Sequence, residues 1–310
     1  MVLPPVTTTL SVSTSVLALA VSGVARTITV TNTGTELATA LALVSTPALP
    51  VGSTVSSNTC GDLAVGASCT LTITPGVTPS AAAGDTNPVP VIFRVTGSNT
   101  NTVTTDVSVL DHGSVYQSGY VFALDDSTPN SGSVGGKAAA LNDTSTGVIW
   151  TANAGGTQVF DAIPGISETD VAPPCNGNRD GACNTNTLVS FYAATPLNAY
   201  AAGLCRSTIG GYSDWYLPSI CEMGFDTFAI GSGCGTSAAP LADNMQSNLV
   251  DKGDIGGLQV AAPYWSATQF SAVPVFAAYG QQFGTAGASG QSAYNKNFSM
   301  AVRCTRSLTL

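Results

Sequence analysis

GGYSDWYLPSICEM, residues 210–223, is the stretch on which the reading of the fold turns. Asp214-Trp215 followed by Leu217-Pro218 suits a strand end that buries an indole and then starts a helix. Pro218 falls in the first helical turn, where its missing N–H costs nothing. Two further pieces follow in order, YWSATQ at 264–269 and VRCTR at 302–306. Tyr264-Trp265-Ser266 reads as an aromatic strand that buries alternate rings. Arg303 calls for a carboxylate partner, and Asp214 and Glu222 are the candidates. A bridge from Cys205 to Cys304 would tie a helix end to the closing strand, and closing a loop of about 100 residues is worth a few kcal/mol in the chain-entropy model.

Outward from these motifs, TLVSFYAATPLNAYAAGLC (187–205) carries apolar residues at helical spacing, interrupted by Pro196, and LPSICEMGFDTFAI (217–230) reads as a second helix. Short strands and long loops fill the rest, with MAVRCTRSLTL as a terminal strand, so an α+β domain is expected over 111–310. Before residue 110 the pattern differs. SVLALAV, ARTITVTNTG, ATALALVS, SCTLTITPG, VPVIFRVTG and TVTTDVSVL are rich in β-branched residues and are separated by turn chemistry such as TNTG and GSNT. They predict an antiparallel, all-β immunoglobulin-like sandwich over 1–110. The three tryptophans, Trp150, Trp215 and Trp265, all lie after this point, and of 18 Asp and Glu only Glu36, Asp62, Asp85 and Asp106 lie before residue 111.

The chain has 310 residues and is 44% hydrophobic, enough to bury sizeable cores, but only 9% charged, against a usual quarter. Its net charge is −9, without a basic stripe, which argues against nucleic acid as a partner. The eight cysteines include close pairs, Cys60 with Cys69, Cys175 with Cys183 and Cys221 with Cys234, leaving Cys205 and Cys304. Zinc is the rival reading, yet no C-x-x-C occurs and the single histidine, His112, is remote from every cysteine. Disulfides place the chain in an oxidising compartment. MVLPPVTTT has no basic n-region or cleavage site, so export is expected either through a signal already removed or by an unusual route.

The segment VTNTGTELATALALVS...VSSNTCGDLAVGASCTLTITPG resembles bacterial surface repeats that serve as immunoglobulin-like spacers. In the second region the ordered set DWYLPSICE, YWSAT and VRCTR resembles the C-terminal domain of the Legionella collagen-like adhesin and its relatives, the DUF1566 group. That resemblance implies a C-type-lectin-like fold, in which a helix-to-last-strand disulfide fits Cys205 and Cys304. More narrowly, GGYSDWYLPSICEMG, ADNMQSNLVD and YWSATQ...VRCTRSLT resemble the variable proteins of diversity-generating retroelements, of the Legionella surface-lipoprotein type. In those proteins a C-terminal cassette is rewritten at AAC-type codons, whose products include Asn, Tyr, Ser, Thr, Ala, Phe, Val, Gly and Asp. The implied variable region is about 264–304. Its displayed, ligand-binding residues would be Phe270, Ser271, Ala272, Val275, Ala277, Tyr279, Thr285, Ala286, Ser289, Ser292, Ala293, Tyr294, Asn297 and Ser299, with Phe298 as a further rigid aromatic contact. Gln281, Gln282, Gln291 and Lys296 cannot arise from such codons and are expected to be fixed framework, as is Phe283. Asp214, Trp215, Pro218, Glu222, Tyr264, Trp265 and Arg303 would be scaffold.

Other sites are weaker. CNGNRDGAC spaces Asn176, Asn178 and Asp180 like a calcium loop, but position one is Asn and position twelve is Thr187, so a disulfide-stapled loop is the preferred reading. Asp125-Asp126 reads as a solvated turn. With a lone His112 and no G-x-S-x-G, Walker loop or H-E-x-x-H, the chain is read as a non-enzyme without a cofactor. The expected role is surface display of a binding face toward a protein or glycan ligand, as a monomer, with any membrane attachment through a lipid anchor outside this chain. The alternatives are an adhesin of fixed specificity and a structural surface or fibre subunit.

Overall fold

The computed structural model describes residues 7–151, 153–154, 157–158, 160–172, 174–228, 230–259, 262–285 and 287–309. They divide into two units. The first holds residues 1–114, 124–135 and 308–310, and the second holds 115–123 and 136–307.

The first unit is built from eight strands: β1 (Leu10–Val12), β2 (Val16–Ala20), β3 (Arg26–Asn32), β4 (Ala42–Thr46), β5 (Thr54–Asn58), β6 (Ser68–Thr74), β7 (Val91–Thr96) and β8 (Val103–Leu110). They form two four-stranded sheets, ordered β1-β3-β6-β5 and β2-β8-β7-β4. The period-two sequence of RTITVTN on β3 buries every second residue, and β6 and β7 do the same. Ile28, Val30, Leu71, Ile73, Val91, Phe93, Val95 and Val107 thereby share one core. Cys60–Cys69 staples the approach to β6 onto that strand. Arg26 is fully buried at the start of β3; its guanidinium bonds Asp126 at 2.7 Å, Thr128 at 2.9 Å and the carbonyls of Pro129 and Gly132 at 3.1 and 2.7 Å. Asp126 is therefore a structural ion-pair partner and not a freely solvated turn.

The second unit adds β9 (Val115–Tyr116), β10 (Gly119–Asp125), β11 (Gly135–Ala140), β12 (Ser145–Val148), the two-residue pairs β13 (Asn153–Ala154) with β14 (Thr157–Gln158) and β15 (Gly235–Thr236) with β16 (Ala239–Pro240), then β17 (Tyr264–Gln269), β18 (Ala277–Phe283), β19 (Ser289–Asn295), β20 (Met300–Val302) and β21 (Thr305–Ser307). One sheet runs β21-β11-β10-β9 and another β12-β20-β17-β18-β19. The five-stranded sheet is covered on both faces. Trp265, Ala267, Ala278, Met300 and Val302 enter one core with Trp150, Trp215 and Leu217. Tyr264, Phe283 and Ala301 enter another with Phe122, Met223 and Leu249.

Two expectations about fold class are overturned. The chain is not an immunoglobulin-like sandwich followed by an α+β lectin-like domain; it is mostly β, with 35% strand against 10% helix. In the first unit β2 pairs with β8 in parallel, where a wholly antiparallel sandwich was expected. Among the described residues of the second unit helix is confined to α1 (Gly181–Phe191), the single turns α2 (Ala201–Leu204) and α3 (Ile220–Met223), a 3-10 turn at Leu197–Ala199 and a short π-helix at Gln246–Val250. The expected helix over 187–205 breaks because Pro196 cannot continue α1. The expected helix over 217–230 stops after one turn, where Gly224 is extended and packs too closely for a side chain: a Cβ there would lie 2.3 Å from Ser289 Oγ.

All four disulfides pair as read from the sequence: Cys60–Cys69, Cys175–Cys183, Cys221–Cys234 and Cys205–Cys304. Four bridges belong to an oxidising environment, extracellular or periplasmic. Among the described residues no helix is long and apolar enough to cross a membrane.

Candidate functional site

The motifs quoted above build a buried frame. Trp215 and Trp265 are fully buried, and each indole N–H donates to a carbonyl, Trp215 to Ile209 at 3.0 Å and Trp265 to Val148 at 2.9 Å. Pro218 precedes α3, and Ser219 and Glu222 cap it reciprocally in a capping box. Glu222 also accepts from Gly181 N at 3.2 Å and Tyr216 OH at 3.0 Å and pairs with Lys137. Burial first, and the Glu222 charge second, push the Tyr216 hydroxyl well above the ordinary range.

Arg303 has a different partner from the two expected. Its Nε meets Asp143 at 2.6 Å, and its remaining N–H groups reach the carbonyls of Ala140, Leu141 and Gly256. Asp214 is taken instead by Arg306 in a bidentate pair, both contacts at 2.9 Å, with the guanidinium stacked 3.8 Å over Tyr212. Hydrogen bonding from Arg306 holds the Asp214 carboxyl below its usual value. Thr305 pairs with Ala139 on β11 and bridges to Tyr216, which carries the next residue, Arg306, to the 212–215 turn.

Residues 270–299 form the β18–β19 hairpin with its flanking turns, and the expected single display face divides. The register runs from Ala277↔Asn295 to Phe283↔Ser289. At about 3.4 Å per residue the two ends of the hairpin stand roughly 20 Å apart. One end gathers the 270–276 turn and the 295–299 turn, where Ala272, Val273, Val275, Phe276, Phe298 and Ser299 are exposed and Asn297 half-buried. Thr285, Gly287 and Ala288 are exposed at the other end, and Ala286 lies outside the described residues. Between the ends, β19 is the outermost strand of its sheet and leaves Ala293 exposed and Ser292 and Tyr294 half-buried.

Three residues expected on the display face are instead core. Tyr279 is fully buried beside Ile220, the Cys221–Cys234 bridge and Phe270, and burial pushes its hydroxyl upward. Ala277 is buried at the start of β18. Ser289 bonds Phe225 N at 3.1 Å and Gln281 Nε2 at 3.0 Å. The residue types of Ala277 and Tyr279 gave no warning, because β18 is buried at six of its seven positions and shows no polar alternation. Phe270 and Ser271 are half-buried, and Ser271 is held by Glu168 through both its N–H and its hydroxyl. The sequence reading missed Val273 and Phe276, whose exposure follows from their place in the turn before β18.

Of the residues expected to be framework, Lys296 has the most partners. Its side chain is fully buried, and Nζ donates to the carbonyls of Asp161 and Pro274, each at 2.6 Å, and to Gln269 Oε1 at 2.8 Å, while lying 4.3 Å from the Trp150 ring centroid. Burial pushes this amine down to about 7, and Asp161 pulls it back upward. Gln281 and Gln291 are fully buried too, and Gln291 joins Ser232 to the Ile220 carbonyl. Gln282 departs from the framework expectation, since its side chain is exposed on β18.

The Asn176, Asn178 and Asp180 loop is not arranged around a cation. Asp180 caps α1 by accepting from Cys183 N at 2.9 Å, and the Asn178 amide donates to Ser232 O at 3.1 Å. Among the described residues no group of three or more His, Cys, Asp or Glu converges.

No family model matches the chain, and no curated protein matches it either.

Proposed function

We propose that this chain is an exported binding protein whose second unit presents a hypervariable ligand-binding face, rewritten by a diversity-generating retroelement. One observation carries the reading. Within residues 270–299, three of the four residues of types that AAC-directed mutagenesis cannot write, Gln281, Gln291 and Lys296, are fully buried and hydrogen-bonded, while the fourth, Gln282, is exposed. Residues of types it can write, Ala272, Val273, Val275, Phe276, Phe298 and Ser299, crowd the solvent-facing end of the hairpin, although Ala277, Tyr279 and Ser289 of the same types are buried. Such a division lets side chains turn over where substitution moves stability little, while the backbone stays fixed.

Phe276 and Phe298 supply rigid apolar contact at low entropic cost, and Ser and Asn supply adaptable hydrogen bonding, as in antibody loops. The partner is a protein or glycan on another surface. The gene's DNA tests the proposal. A near-identical template repeat beside a reverse transcriptase, differing from the 264–304 coding region at adenines alone, is the expected finding. Absence of such a repeat overturns it.

A further inference from the structure

A cavity of about 360 Å³ opens in the second unit, lined by Ser118, Leu141, Asn142, Asp143, Thr144, Ile209 and Gly210. None of these residues lies within 264–304. We infer that this cavity is a second, fixed binding site for a small neutral polyhydroxylated ligand, in chemical terms one saccharide unit.

The lining has two characters. Leu141 and Ile209 are half-buried and make an apolar wall, on which the C–H face of a sugar ring loses water favourably. The rest of the lining carries polar side chains. Asp143 is pinned by Arg303 Nε on Oδ1 at 2.6 Å and by Tyr264 OH on Oδ2 at 3.0 Å. A carboxylate offers about four lone-pair sites, so each oxygen keeps acceptor capacity for a ligand hydroxyl. The neighbouring Asn142 is exposed, and among the described residues its amide makes no hydrogen bond. It therefore offers both a donor and an acceptor, the complement of a hydroxyl pair. Thr144 contributes a hydroxyl that meets only the weakly bonding Cys304 Sγ, at 3.0 Å.

The charge arrangement selects against ions. Arg303 neutralises Asp143 but directs its Nε, NH1 and NH2 to Asp143, Ala140, Leu141 and Gly256, so it presents no free fork to an anion. The lining is also shaped in advance. Gln117 and Ser118 hold φ values of 47° and 66° in the two-residue turn between β9 and β10. Gly210, at φ +57°, approaches so closely that a Cβ there would lie 2.3 Å from the Ser118 side chain. Site geometry set by backbone favours a pocket that exists before its ligand arrives.

Saturation-transfer NMR and calorimetric titration on the full chain, with glucose, galactose, mannose and N-acetylglucosamine as probes and N-acetylneuraminic acid as the anionic control, test the inference. At least one neutral sugar should bind. Asn142→Ala, which removes an exposed and unbonded side chain, should weaken it by up to about tenfold, the scale of one lost polar contact. Asn142→Trp, which fills the cavity mouth, should abolish it, whereas Phe276→Ala and Phe298→Ala should leave it unchanged. Absence of binding by all four neutral sugars, preferential binding of the anion, or full binding by Asn142→Trp would overturn the inference. Loss through Phe276→Ala alone would place the sugar on the hairpin instead, which also overturns it and leaves the variable-face proposal intact.

Discussion

Lys296 Nζ donates to the Pro274 carbonyl at 2.6 Å, joining the turn after β19 to the turn before β18. The same turns are joined by Lys296 N to Phe276 O at 2.8 Å. A residue with no exposed surface thus sets the spacing of the two turns that expose Phe276 and Phe298. Under the proposed function, binding at this end of the hairpin would depend on a side chain that the ligand does not touch.

Replacing Lys296 by Met keeps much of its volume and removes its donors. Two acceptors, Asp161 O and Pro274 O, then lose their side-chain donor, while Gln269 Oε1 still accepts from Ile163 N at 3.0 Å. At about 1 kcal/mol or more for each unsatisfied group, Lys296→Met should lose roughly 2 kcal/mol at pH 6, read as a lower denaturant midpoint with an unchanged slope. Phe298→Ala, on an exposed side chain, should lose less than about 1 kcal/mol. Comparable losses in the two variants would mean that Lys296 does not hold the turns.

The same amine gives the fold a pH dependence. Its value falls from 10.5 to about 7 on folding. Below pH 7 both folded and unfolded chains carry the proton, so the contribution is flat and at its lowest. Between about 7 and 10.5 the unfolded chain holds a proton that the folded chain has released, so stability rises with pH across this window. Subtracting the Lys296→Met profile from the wild-type profile should isolate a positive slope between pH 7 and 10. A flat difference would show that the amine keeps its proton when buried.

Asp214→Ala removes the carboxylate from a guanidinium that is itself fully buried. The Asp214 side chain is 48% exposed, which screens the pair, and Arg306 retains Gln117 and the Tyr212 ring. The expected cost is about 1–2 kcal/mol, below that of breaking a fully buried pair. Because Arg306 holds the carboxyl below its ordinary value of 3.8, the wild-type advantage should be full above that value and fade as pH falls through the lowered one. A wild-type advantage that already fades at pH values above 3.8 would contradict the pairing.

How far the sequence revealed this arrangement differs residue by residue. Trp215, Trp265 and three of the disulfides were legible because large apolar side chains and close cysteine pairs carry local signals, while Cys205–Cys304, 99 positions apart, was read as the pair left over. Codon type, which set Gln281, Gln282, Gln291 and Lys296 apart, coincides with burial at three of them and fails to separate Gln282, which is exposed. The Arg303–Asp143 and Arg306–Asp214 pairs were not legible, since their partners are separated by 160 and 92 positions and both arginines sit on the same short closing segment. Helix extent was misread because apolar spacing at 187–205 and 217–230 fits a helix, while Pro196 and the crowding at Gly224 act through backbone and tertiary contacts. Tyr279 was misplaced for a related reason: a strand covered on both faces has no period to read.

Reduction should expose a ranking among the bridges. Cys205–Cys304 spans 99 positions and Cys175–Cys183 spans 8. In the chain-entropy model the longer loop contributes about 4.7 kcal/mol and the shorter about 2.5. Cys205→Ala/Cys304→Ala should therefore lose about 2 kcal/mol more than Cys175→Ala/Cys183→Ala by chemical denaturation. Equal losses would mean that the unfolded chain is already compact across the longer loop.

The roughly 20 Å between the hairpin ends constrains what any one partner can use. A ligand seated on Phe276 and Phe298 does not reach Thr285 or Ala288 unless its footprint approaches that of a standard protein interface, near 800 Å² on each side. With a partner in hand, Phe276→Ala and Phe298→Ala should each weaken binding by about tenfold or more, the loss typical of a central aromatic contact. Thr285→Ala should change a small partner's affinity by less than about twofold and should matter only for a large one. Exchanging residues 270–276 and 297–299 for those of another variant should switch what is bound and leave the melting temperature within a few degrees, because Lys296, Gln281 and Gln291 are retained. If the exchange instead unfolds the second unit, those turns are part of its core, and the end of the hairpin is not a surface on which sequence can vary.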